Sequence, residues 1–104
     1  MKTIKKGGDY TACYDAKNKR YVAYIVQTDR EGQTRNMYEI TKEIFDRLGS
    51  GNSCSDLELI RKGRHLYYFE NTMYGTPGPI ESVYDDDYKE IWKQAYLSAT
   101  GEAW

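Results

Sequence analysis

Residues 20–28, read as an extended strand, place Tyr21, Ala23 and Ile25 on one face and Val22, Tyr24 and Val26 on the other. A strand that is apolar on both faces belongs inside a sheet, with neighbours on each side. Residues 10–15 carry a second β-branched and aromatic run, and the polar stretch Ala16-Lys17-Asn18-Lys19 between the two reads as a hairpin turn. Asp29-Arg30-Glu31-Gly32 is a further turn, after which residues 34–38 extend the meander by a third strand. Residues 56–61 and 64–70 are two more alternating runs joined by Lys62-Gly63. That spacing predicts a tight hairpin, with Gly63 at positive φ.

Two segments carry helical signals instead. Thr41 is placed to cap a short helix, with Ile40 before it positioned to staple onto Phe45, and Ile40, Ile44 and Leu48 recur at helical spacing. Gly49 then supplies a left-handed terminator, and residues 50–55 read as a connector. Between residues 85 and 99, Tyr88, Ile91, Trp92, Ala95, Tyr96 and Ala99 form one apolar stripe, with Asp85, Asp86 and Asp87 at the positive end of the helix dipole and Gly101 as its stop. The implied fold is α+β, an antiparallel sheet of four to five strands in ββ(β)αββα order with two helices packed on one face. The opposite face would then present tyrosines to solvent or to a partner.

The chain has 104 residues, the size of one domain, so residues 1–104 are read as a single unit. Its 11 Tyr, 2 Phe and 2 Trp offset a modest count of aliphatic residues, because each aromatic ring buries roughly 150–250 Å². No apolar run approaches the roughly 20 residues that cross a bilayer, and the first residues lack the apolar centre of a signal peptide. Cys13 and Cys54 stand far apart and form no CxxC, so both read as free thiols and the expected compartment is the cytoplasm. Charge is uneven. Residues 1–35 hold 8 Lys and Arg against 4 Asp and Glu, and the remainder 7 against 12, for a net of −1.

None of the usual catalytic patterns is present. Cys13 or Cys54 with His65 and Asp56 would supply the groups of a triad, but a lone Cys and His at this spacing carry no signature. Gly49-Ser50-Gly51-Asn52-Ser53 resembles a phosphate loop in composition, yet it follows a helix and is read as opening a strand, the reverse of that context. Consecutive side chains of Asp85, Asp86 and Asp87 diverge by about 100° on a helix and cannot converge on calcium. One His and two separated Cys make no zinc motif. The expectation is a non-catalytic domain with no metal and no cofactor, with a small enzyme whose site lies under residues 71–84 as the third reading.

Two binding surfaces remain. Met73, Tyr74, Glu81, Tyr84, Asp85, Asp86 and Tyr88 combine interface-type aromatics with acids in and beside residues 71–84, which read as a long loop, and Trp104 adds a further aromatic in an irregular segment. Such a surface suits another protein with a basic site. Alternatively Lys17, Lys19 and Arg20, with Arg61, Lys62 and Arg64, form two basic turns. If these lie at one end of an aromatic sheet, they suit single-stranded nucleic acid. An uncovered sheet face or free edge would also serve a homodimer. In size and Tyr-rich, motif-free composition the chain resembles accessory proteins of phages and mobile elements. That resemblance implies an inhibitor or modulator of a host protein, such as a defence nuclease.

Overall fold

In the computed structural model, which describes residues 3–30, 32–51, 53–72 and 79–104, residues 20–28 form the body of β3 (Arg20–Asp29). β3 lies well inside an antiparallel sheet with β1 (Ile4–Lys6), β2 (Tyr10–Asp15), β4 (Gly32–Ile40), β5 (Arg64–Thr72) and β6 (Ile80–Val83). The strands sit side by side in chain order. The helices are α1 (Lys42–Arg47), α2 (Ser53–Ile60) and α3 (Tyr88–Thr100). The described residues thus form six strands and three helices, more than the four to five and two implied by the sequence pattern.

Both apolar faces of β3 are covered, and from opposite sides. On one face Ala12, Ala23, Ile25 and Tyr38 pack with Phe45 and Leu48 of the α1 segment and Leu57 and Ile60 of α2. Ala12 and Ala23 pair directly across β2 and β3, and such small residues leave room for helix side chains. On the other face Cys13, Val22 and Met37 pack with Ile91, Trp92 and Ala95 of α3. The expectation of helices on one face is therefore corrected. A strand apolar on both sides needs cover on both, and each fully buried large side chain contributes about 1.5–3 kcal/mol.

The second correction concerns residues 56–61, of which all but the last are helical rather than extended. As a strand they would put Leu57 and Leu59 together with Ile60 opposite. As a helix, Leu57 and Ile60 enter the same core and Asp56 turns inward. The buried carboxylate of Asp56 accepts the Tyr10 hydroxyl at 2.8 Å and the Gly49 N–H at 3.2 Å. Lys62 and Gly63 consequently link a helix to a strand. Gly63 is not at positive φ. A Cβ there would stand 2.4 Å from the Glu39 carbonyl oxygen, so the site needs glycine for closeness.

Local signals elsewhere hold. The Thr41 hydroxyl accepts the Ile44 N–H at 3.2 Å, Gly49 has φ +85°, and Gly101 has φ +76° after α3. The α3 stripe packs as expected, with the helix beginning at Tyr88 after Asp87. β1 is not legible in the sequence because it has three residues, of which Lys5 donates to carbonyls at the end of α1, Phe45 at 2.7 Å and Leu48 at 3.1 Å. Residues 71–84 are not one loop: Asn71 and Thr72 finish β5 and Ile80–Val83 is β6.

Candidate functional site

The β5–β6 side of the sheet ends in a fixed corner. β4 and β5 shift register between Met37 and Tyr38, and the carbonyl of Leu66 accepts the N–H groups of both Tyr84 and Asp85 at 3.1 Å. Asp85 accepts the Asp87 N–H at 2.9 Å and the Arg64 guanidinium at 2.9 Å, which together hold its carboxyl below the usual range. Arg64 also bonds Glu39 at 2.7 Å. Asp86 beside them is exposed and makes no ion pair among the described residues. Tyr84 is 60% exposed and leans on His65, with ring centroids 4.7 Å apart. Ile80 and Val83 are exposed on β6, which pairs only with β5 among the described strands.

The residues expected to bind protein do not form one surface. Tyr84, Asp85 and Asp86 share the corner. Tyr88 instead stacks on Tyr67 at 4.1 Å, and the Tyr67 hydroxyl donates to Glu81. Burial first, then Glu81, raises the pKa of that phenol. Trp104 packs elsewhere, on Tyr96 at 4.9 Å and Trp92 at 5.4 Å. Met73 and Tyr74 lie outside the described residues.

The two basic turns do lie at one end of the sheet, because Asp15 pairs with Arg20, Tyr21 with Ile40 and Glu39 with Arg64. Their arginines are largely engaged. Arg20 sits 3.7 Å from buried Asp15, Arg64 joins Glu39 and Asp85, and Arg61 donates to Gln27 at 3.3 Å. Lys17, Lys19 and Lys62 remain exposed.

A third region escapes sequence reasoning. On the α3 face, Thr11, Tyr24, Met37, Tyr67 and Val83 form one row across five strands. Above it, Tyr24, Trp92 and Trp104 wall two adjoining hollows of about 200 and 210 Å³. Lys6 and Asp9 border the first, and Arg35, Lys89 and Lys93 the second. Helical spacing assigns Trp92 to the core, and its second role as a wall has no linear signature.

The chemical candidates are not brought together. Cys13 lies buried on the α3 face, where burial pushes its thiol up to about 12, while His65 stacks on Tyr38 of the opposite face at 4.3 Å. Asp56 serves Tyr10 instead of His65. The Gly49–Ser53 stretch leads into helix α2 and not a strand, but the Asp56 carboxylate already occupies the Gly49 N–H. Among the described residues no three His, Cys, Asp or Glu side chains cluster as metal ligands, and no helix is long and apolar enough to cross a membrane. Comparison with protein-family models, curated proteins and solved structures finds no match to the chain.

Proposed function

We propose that this chain is a non-catalytic interaction domain that binds another protein through the β6 edge and the corner following it. One observation carries the reading. Ile80, Val83 and Tyr84, three large apolar side chains within five residues, are all exposed on or beside a strand whose outer edge pairs with no other strand among the described residues. Exposed edges of this kind accept a further strand, and apolar residues beside them mark contact surfaces.

Charge narrows the partner. Asp86, Asp87 and Glu90 are exposed around the same corner, so a basic surface with an apolar neighbour is the complement. Proteins that hold nucleic acid carry such surfaces, and an inhibitor of a nuclease would engage one. Tyr84 and Asp86 are the residues to test, because neither supports the core, whereas Arg64 and Asp85 hold the corner together.

The experiment is affinity capture from nuclease-treated lysate of the producing cell, using the wild-type chain beside Tyr84→Ala/Asp86→Lys and Lys17→Glu/Lys19→Glu/Lys62→Glu variants. A protein retained by the wild type and the lysine variant, but reduced at least tenfold with the corner variant, is the expected result. Retention unchanged by the corner variant would overturn the reading. Self-association lost with the same variant in sedimentation would make the partner a second copy of this chain.

A further inference from the structure

The hollows beside Trp104 have the chemistry of a different ligand. Trp104 is 59% exposed although it packs against Tyr24, Trp92 and Tyr96, so much of the residue remains open to solvent. Each hollow is smaller than the roughly 300–1,000 Å³ clefts that take a drug-sized molecule. Two ring-scale hollows sharing the wall Tyr24, Trp92 and Trp104 suit two successive flat groups better than one bulky one.

The border is cationic. Arg35 lies over Phe69 at 5.3 Å and Lys89 over Tyr88 at 5.8 Å, and neither they nor Lys93 form an ion pair among the described residues. Lys6 adds a fourth positive charge at the first hollow. Against these stand Asp9 at the first hollow and Glu81, which already accepts the Tyr67 hydroxyl. Trp92 is 1% exposed and its Nε1–H has no acceptor among the described residues.

We infer that the paired hollows beside Trp104 bind base–phosphate ligands, a single-stranded nucleic acid whose successive bases stack at Trp104 while Arg35, Lys89 and Lys93 meet its phosphates. Stacking on aromatic side chains tolerates any base, and the lysines and arginine supply the salt-sensitive part. The hollows share no lining residue with Tyr84, Asp85 and Asp86 of the corner, nor with the basic turns at Lys17, Lys19 and Lys62.

Fluorescein-labelled dT10 titrated with the full chain, read by anisotropy at 50 and 200 mM NaCl, tests it. Saturable binding should weaken about tenfold in Trp104→Ala and recover in Trp104→Phe. Lys89→Gln/Lys93→Gln should flatten the salt slope by about 0.7 for each phosphate left without its cation, while Lys17→Gln/Lys19→Gln/Lys62→Gln should change nothing. Circular dichroism matching the wild type confirms that the variants are folded. Thymidine monophosphate competing as well as dT10 would assign the site to free nucleotides and overturn the strand, and weak competition would support a strand. No binding, binding indifferent to Trp104, or equal displacement by heparin, which has no bases, would overturn the inference.

Discussion

His65 is the chain's one histidine, and the fold opposes its ionisation. Its ring stacks on Tyr38 with 9° between planes, meets Tyr84 on another side, and places Nε2 2.9 Å from Asn36 Oδ1. Burial lowers its pKa from the usual 6.5, outweighing a backbone hydrogen bond at Tyr67 that works the other way. With the folded value depressed, the unfolded chain binds more protons below pH 6.5. The His65 contribution is therefore fully present above that pH and is lost as pH falls towards the lowered folded value. Urea unfolding between pH 7.5 and 5.5 should show stability declining, and His65→Gln should reduce that slope. An unchanged slope would mean that His65 protonates without cost. Nothing in the sequence around His65 signals this, because Asn36, Tyr38 and Tyr84 reach it only through strand pairing and the corner turn.

Among elements, the stretch from α2 to β5 separates what local pattern can and cannot specify. Residues 56–61 alternate in polarity, which fits a strand. Leu57 and Ile60 also stand three apart, which fits a helix, and six residues are too few for periodicity alone to decide. The deciding partners, Tyr10 and Gly49 for Asp56, are distant in sequence or in another element. The glycines of this region differ in the same way. Gly49 has φ +85° and an added Cβ would meet nothing within 4 Å, so Gly49→Ala should cost about 1 kcal/mol from backbone strain alone. Gly63→Ala would press on the Glu39 carbonyl and on Ile40 Cγ2 at 2.9 Å, and should cost about 1–3 kcal/mol. Chemical denaturation of the two variants should rank Gly63→Ala as the more damaging. Equal losses would remove the close-approach explanation.

At the scale of the whole molecule, the sheet is a meander whose centre is covered from both sides and whose edges are short. β3 and β4 have 10 and 9 residues, whereas the outer strands β1 and β6 have 3 and 4. Stability should be graded accordingly, since buried central strands open only with global unfolding and edges fray at little cost. Hydrogen exchange should find the amides of Val22 to Ile25 and Met37 to Tyr38 slowest, and those of β1 and β6 fastest. Slow exchange at Ile80 to Val83 in the isolated chain would instead indicate that the β6 edge is already paired.

The sequence by itself determined the elements whose signals are local: the β2–β3 hairpin, the β4 extension, the capped start of α1, the stripe of α3 and its glycine stop. Each depends on residues within a few positions of one another, so spacing is enough. The two apolar faces of β3 mark it as an inner strand, but its cover by helices on both faces is a tertiary outcome. Tertiary structure decided the rest. It turned residues 56–60 into a helix by giving Asp56 a buried partner, and ordered Ile80–Val83 as an edge by pairing it with β5. It also engaged the arginines of the basic turns, Arg64 with acids far away in the chain, and gathered Tyr24, Trp92 and Trp104 around two shared hollows. Those outcomes depend on distances between strands and helices, and such distances exist only once the chain has folded.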